Sequence, residues 1–367
     1  MIVPESDGPP SDGAARARLG WMPSSFAFGL DTFGDVTVDG DGKTNSHARV
    51  LRDVVDEAIL ADDLGLDAFG VGEHHRPDFA ISAPEVMLAA IATRTKRILL
   101  GSAVTVLSTD DPVRVYERFS TIDALSHGRA EVILGRGSFT ESYPLFGFDL
   151  SRYEELFEDR VSLFVELLKG GPVTWSGTTR AAVTGAAIHP PIENGRLKTW
   201  IGVGGSPDSV RRAARHGLPL TLAIIGGDPA RFRPYVDLYL HALEQHGRPV
   251  LPIAAHSPGH VAASDDQARD ELWPHYQAMI NRIGRERGWP PTTRAHFDRE
   301  AGPDGSLYVG APETVAAKIV RTVRTLGLSR FDLKYSAGTL PHSLLMRSIE
   351  LIGTQVAPRV KAILGAD

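Results

Sequence analysis

Cysteine is absent from all 367 residues, so the chain can form no disulfide, offers no thiolate nucleophile and builds no cysteine-ligated metal centre. Long apolar runs are absent as well. Nowhere do about 18 apolar residues follow one another, the length a membrane-spanning helix needs. Residues 1–25 contain Pro-Glu-Ser-Asp-Gly-Pro-Pro-Ser-Asp-Gly and lack the apolar core of a secretory signal. Blocks of like charge are also missing. The net charge of -6 comes from 39 basic and 45 acidic residues spread along the chain, which leaves no footprint for nucleic acid or an anionic membrane. A reducing cytoplasm fits a cysteine-free chain and is the expected compartment, although that count forbids no other.

What is present is ordinary globular composition, 42% hydrophobic and 23% charged. The first 25 residues read as a flexible tail, too poor in apolar groups to order itself. From residue 26 to 367 strand-like apolar runs alternate with helical patterns. Strands are expected at Phe26–Asp31, Asp67–Val71, Ile98–Val106, Ala130–Leu134, Thr199–Val203, Leu220–Ile225, Leu251–His256 and Phe331–Tyr335. Val50, Leu51, Val54, Val55, Ala58 and Ile59 give a helix over about 47–64 one apolar stripe. Ser82 is a cap candidate ahead of Pro84, and Asp110 or Asp111 caps the helix that Pro112 opens. Eight strands alternating with helices predict one (β/α)8 TIM barrel in the α/β class. Two insertions interrupt it: a hairpin over about 172–191, and a Pro/Arg/Asp/Gly-rich stretch over about 288–305 that reads as an irregular loop and candidate lid.

The candidate chemistry sits where those runs end. Leu66 to Arg76 reads as a buried strand that stops at Glu73-His74-His75, and the C-terminal rim of a parallel barrel is where titratable groups act. The pair lacks the His-Glu-x-x-His spacing of a zinc helix, so no metal is expected. Alternation along a strand would turn at most one of the two histidines inward, and two structural histidines bonding carbonyls would explain the pair equally. After the fourth run, Gly135-Arg136-Gly137 combines close backbone approach with a guanidinium that can fork onto phosphate or carboxylate; a turn with a solvated arginine is the plainer alternative. After the fifth, Gly204-Gly205-Ser206-Pro207-Asp208-Ser209 opens a helix with amides and hydroxyls suited to an anion. Pro207 occupies the third glycine of the dinucleotide fingerprint, so a monophosphate suits this turn better than a pyrophosphate. Gly101 to Leu107 ends the third run with small residues that leave room for a flat ligand, or simply pack the barrel. All four features fall on one predicted rim.

These residues resemble the bacterial luciferase-like flavin-dependent monooxygenases. The resemblance is carried by Val-Gly-Glu-His-His-Arg at 71–76, Gly-Ser-Ala-Val-Thr-Val-Leu-Ser-Thr-Asp-Asp-Pro-Val-Arg at 101–114, Ser-His-Gly-Arg-Ala-Glu at 126–131, Gly-Arg-Gly-Ser-Phe-Thr-Glu-Ser at 135–142, and Gly-Leu-Pro-Leu at 217–220. It runs from about 26 to 364 in one order and is similar to the single-subunit FMN-binding branch. It implies a TIM barrel with reduced FMN across its C-terminal mouth. Arg136 then matches the arginine on the flavin phosphate, with Gly204, Gly205, Ser206 and Ser209 completing the cradle. Ala103-Val104 matches the family's non-proline cis peptide against the isoalloxazine ring, and Ala223 and Ile224 fall near the pyrimidine side. His74 matches the histidine used in acid-base chemistry, with His75 beside it. Where the light-emitting enzymes carry a reactive cysteine this chain has Gly135, so neither light emission nor a long-chain aldehyde substrate is implied.

The implied reaction uses reduced FMN from a separate NAD(P)H-flavin reductase. Oxygen adds to form a 4a-peroxyflavin or hydroperoxyflavin, and one oxygen atom enters a small organic substrate. The implied assembly is a homodimer. A deazaflavin-dependent oxidoreductase and a non-catalytic flavin-binding accessory subunit are the rival expectations.

Overall fold

The computed structural model describes residues 26–137, 139–193 and 195–365; the tail expected over 1–25 lies outside the described residues. Eight strands form the barrel: β1 (Ala27–Thr32), β2 (Ala68–Val71), β3 (Leu99–Ser102), β4 (Ala130–Gly135), β5 (Lys198–Val203), β6 (Leu220–Ala223), β7 (Ile253–Val261) and β8 (Arg330–Lys334). Each pairs in parallel with the next in chain order, and β8 returns to pair with β1, closing the ring. Parallel strands covered on both faces read as unbroken apolar runs. Every residue of β4 is accordingly buried.

The helices α1 (His47–Asp63), α2 (Pro84–Ala92), α3 (Pro112–Ser126), α4 (Tyr153–Leu167), α5 (Pro207–His216), α6 (Arg233–Gln245), α7 (Asp265–Arg287), α8 (Arg294–Ala301), α9 (Pro312–Leu326) and α10 (His342–Leu351) surround the strands. Leu100, Val132 and Ile201 from the strands join Val115, Phe119, Phe164 and Ala213 from the helices in one buried core. The inside of the barrel is more polar. Arg330 donates from Nε to Asp332 at 2.7 Å and from Nη1 to Glu131, and Trp200 Nε1 donates to Glu131 at 3.3 Å. Gly29 and Gly101 make room for these carboxyls, since a Cβ at either would meet Asp332 or Glu131 within 3 Å.

Several local expectations change. The third strand is not continuous over 98–106: it stops at Ser102, a cis peptide joins Ala103 to Val104, and pairing with β4 resumes at Thr105–Val106. Asp111, not Asp110, caps α3, accepting from the amides of Val113 and Arg114. Ser82 does not cap α2. Ala83 holds that position without a side-chain bond, and Pro84 has no N–H to satisfy. The predicted hairpin is present as Val173–Trp175 paired antiparallel with Val183–Ala186.

The 288–305 stretch is not an irregular loop. It contains α8, capped by Thr293, whose Oγ1 accepts from His296 N. Phe297 is fully buried there, its ring 5.3 Å from those of Trp273 and Tyr276. Lys318 reaches in from α9 to donate to the carbonyls of Gly302 at 2.6 Å and Leu307 at 2.7 Å. One cap and one aromatic anchor suffice to order a segment whose composition reads as loop.

Candidate active site

β2 ends at Val71, so Glu73, His74 and His75 follow the strand rather than continue it. Strand alternation therefore does not sort the two histidines; their partners do. The His74 ring is 7% exposed as a residue and lies within an aromatic cluster. Its centroid is 4.5 Å from Phe79 in stacked geometry, 4.7 Å from Phe33 and 5.1 Å from Phe139. Glu141 Oε1 stands 3.6 Å from His74 Nδ1 and also accepts from the His75 amide at 3.5 Å. Burial pushes the Glu141 carboxyl up, but the neighbouring His74 imidazole and the His75 amide pull it below the usual carboxylate range. Glu141 therefore stays ionised beside the imidazole and orients it.

His75 takes a different role. Its Nε2 is 3.0 Å from Glu73 Oε1 and its ring meets the edge of Phe146 at 4.9 Å. Glu73 accepts from Val106 N at 2.8 Å through its other oxygen, and its own amide donates to the Val104 carbonyl at 3.3 Å. His75 and Glu73 thus brace the loop against the bend at Ala103-Val104.

That bend forms a floor. Ala103, Val104, Gly202 and Ala223 are all half-buried at adjacent strand ends. Val104 fits only because two neighbours lack side chains: a Cβ on Gly135 would lie 2.5 Å from Val104 Cγ2, and one on Gly202 would lie 3.1 Å from Cγ1. Ile224 does not join this surface with its side chain, which is fully buried in the core; its amide donates to His256 O at 2.8 Å.

The predicted anion residues converge at one edge. Ser206 caps α5, its hydroxyl oxygen accepting from Ser209 N, and Ser209 is buried. Gly205 adopts φ +115°, open to glycine, and its carbonyl accepts from Tyr235 OH at 2.8 Å. At Gly204 a Cβ would meet nothing within 4 Å. Arg136 lies with its guanidinium 4.8 Å from the Tyr153 ring and pairs with Glu154. The other Glu154 oxygen accepts from Arg212 Nη2 at 2.6 Å, so one carboxylate bridges Arg136 to α5. Arg212, missed in the sequence, also donates from Nε to Glu158 at 2.7 Å, while its Nη1 is buried without a partner. An orphaned guanidinium nitrogen, a second arginine and a helix N-terminus make a donor set for phosphate. Among the described residues no cluster of metal-ligating side chains occurs.

Two more rim residues escaped the motif reading. His256 Nδ1 donates to Asp31 Oδ2 at 2.6 Å, and the Phe33 ring stacks on His256 at 6.1 Å. Both were the final residues of predicted strands, so a titratable residue closing an apolar run was the signal available.

The sequence pattern of the family described as luciferase-like monooxygenase matches residues 31–330. Among curated relatives, the uncharacterised protein y4wF of Sinorhizobium fredii is 32% identical over 53% of this chain and 56% of its own length. Limonene 1,2-monooxygenase of Rhodococcus erythropolis is 27% identical over 83% of this chain and 80% of its own. Among solved structures, the monooxygenase RslO1 of Streptomyces bottropensis superposes with a TM-score of 0.76 at 22% identity, covering 90% of this chain and 99% of that one. The oxygenating constituent of 3,6-diketocamphane monooxygenase from Pseudomonas putida, in complex with FMN, gives 0.72 at 18%, covering 92% and 99%. An F420-dependent secondary alcohol dehydrogenase gives 0.71 at 15%, covering 92% and 99%. A closed eight-stranded barrel with this rim, matched over most of its length, makes the chain a member of the luciferase-like monooxygenase family, oxygenating oxidoreductases.

Proposed function

We propose that the protein is an FMN-dependent monooxygenase of the two-component kind, receiving reduced FMN from a separate NAD(P)H-flavin reductase. The observation that supports a phosphate-bearing flavin is the buried Nη1 of Arg212, which has no hydrogen-bond partner, together with the Glu154 carboxylate that joins Arg212 to Arg136. Arg136, Gly204, Gly205, Ser206 and Ser209 would hold the phosphate. Ala103 and Val104 would support the ring, with Ala223 and the Ile224 backbone at its pyrimidine side. When bound, reduced flavin supplies the electrons that activate oxygen, so that one atom enters the substrate and the other leaves as water.

The chain's own residues do the rest. Arg136 and Arg212 exchange the Glu154 carboxylate for the phosphate and fix the cofactor's position. Phe33, Phe79 and Phe139 exclude water around His74, and the anionic Glu141 holds that ring so that its other nitrogen can carry a proton between the reacting groups and solvent. The aromatic surround suits an apolar organic substrate. Homodimerisation and a cytoplasmic setting belong to the same proposal; among the described residues no helix is long and apolar enough to cross a membrane.

The test supplies the protein with flavin reductase, NADH, 18O2 and a panel of apolar candidate substrates. The expected result is one labelled oxygen in product, with His74→Ala lowering turnover about 100-fold at unchanged FMN affinity. Full activity in His74→Ala would remove its acid-base role. The F420-dependent neighbour supports a second reading, a deazaflavin-dependent oxidoreductase; hydride transfer to or from that coenzyme without oxygen consumption would establish it.

A further inference from the structure

β7 carries His256 at the register of Ala223 on β6 and Asp332 on β8. The imidazole keeps 12% exposure, and among the described residues Nδ1 alone has a polar partner, Asp31 at 2.6 Å. Asp31 is 2% exposed and its Oδ1 is buried without a partner. A carboxylate so isolated from water needs a cation. The cations of the neighbouring strand β8 are committed elsewhere: Arg330 to Asp332 and Glu131, and Lys334 to Asp35 at 2.8 Å. Phe33, stacked on His256, receives Lys334 Nζ 4.6 Å from its ring centroid. On the β6 side stand only the uncharged Ala223 and Ile224. With Nδ1 pinned, Nε2 is the nitrogen left to act on whatever occupies the floor beside Ala223.

We infer that the Asp31–His256 pair selects the reduced form of the cofactor over the oxidised form. This rests on the proposed FMN reading, in which the pyrimidine edge lies by Ala223. Reduced flavin carries its negative charge on that edge near neutral pH, whereas the oxidised ring is neutral. Asp31 fixes the ring through Nδ1–H and balances the imidazolium, which takes its second proton from solvent. Nε2–H then donates to the anionic edge, a charge-assisted bond that the oxidised ring does not receive at full strength. Asp31 is a positioning residue in this scheme, acting through His256. A chain that receives reduced flavin by diffusion gains directly from such discrimination, because oxidised FMN competes for the same cradle.

The test is the ratio of dissociation constants for oxidised and reduced FMN, measured aerobically and anaerobically on the wild type, His256→Gln and Asp31→Asn, with thermal melts reporting folding. Both variants should bind reduced FMN roughly tenfold more weakly and oxidised FMN within about twofold. A tenfold loss lowers the midpoint potential of bound FMN by about 30 mV. An unchanged ratio, or equal weakening of both forms, would overturn the inference and leave the pair structural. A wild type that binds neither form of FMN removes the flavin reading, and the inference with it. Asp31→Asn replaces one oxygen by a nitrogen of the same size, and His256→Gln independently covers the case in which it fails to fold.

Discussion

Arg212 illustrates how a residue becomes functional through what it lacks. Two of its nitrogens are held by Glu154 and Glu158, while the third is buried and unpaired, and an unsatisfied buried donor costs about 1–3 kcal/mol. A phosphate within reach of Nη1 would relieve that cost. Arg212→Ala and Arg136→Ala should therefore each weaken FMN at least tenfold yet leave riboflavin, which has the same ring and no phosphate, within about twofold. Parallel titrations of the two flavins by fluorescence quenching check this; equal losses for both would assign the arginines to packing. At this scale the sequence was partly legible. His74, Arg136, Glu141 and Ser206 stand in contiguous motifs, whereas Arg212, Asp31 and His256 act through partners between 54 and 225 residues distant. Only the closed barrel brings such partners together.

The elements that shape the mouth do so by leaving space. β4 and β5 each present a glycine to Val104, and the loop after β2 is braced to the same bend by Glu73. Gly135→Ala would place a methyl 2.5 Å from Val104 Cγ2. Overpacking of this kind costs roughly 1–3 kcal/mol, and here it also pushes Val104 across the floor. The expected outcome is a lower melting temperature together with weaker binding of FMN and riboflavin alike, which separates a floor defect from a cradle defect. Unaltered riboflavin binding would show that Val104 does not touch the ring. Apolar runs located all eight strands because their burial on both faces leaves an unmistakable pattern. The bend at Ala103-Val104 has no compositional mark and was legible only through the family resemblance, which implied the cis peptide found there. The helix Arg294–Ala301 was hidden, because it depends on Phe297 packing against Trp273 and Tyr276, neighbours that local composition does not reveal.

Across the molecule, the barrel carries a polar interior beneath its functional rim. Burial pushes the Asp332 carboxyl up to about 6, helped by Asp31 and Glu131 and opposed by Arg330. A carboxyl that is easier to protonate folded than unfolded contributes stability that is fully present below its unfolded value near 3.8. That contribution is lost as pH rises through about 6. Asp332→Asn should flatten the stability–pH curve between roughly pH 4 and 6 relative to wild type. Urea denaturation at several pH values measures it, and an identical slope in both proteins would show that Asp332 is ionised throughout. Asp31 belongs to the same polar column: it raises the Asp332 carboxyl and bonds His256 at 2.6 Å.

The chemistry of this barrel turns on which cofactor its mouth accepts. An anaerobic titration of the purified chain with reduced FMN, reduced riboflavin and reduced deazaflavin coenzyme, each then exposed to oxygen, tests it most directly. The prediction is that reduced FMN binds at least tenfold more tightly than reduced riboflavin, is not displaced by the deazaflavin, and consumes oxygen while bound. Tight binding of the deazaflavin, with no binding of reduced FMN and no oxygen uptake, would contradict it.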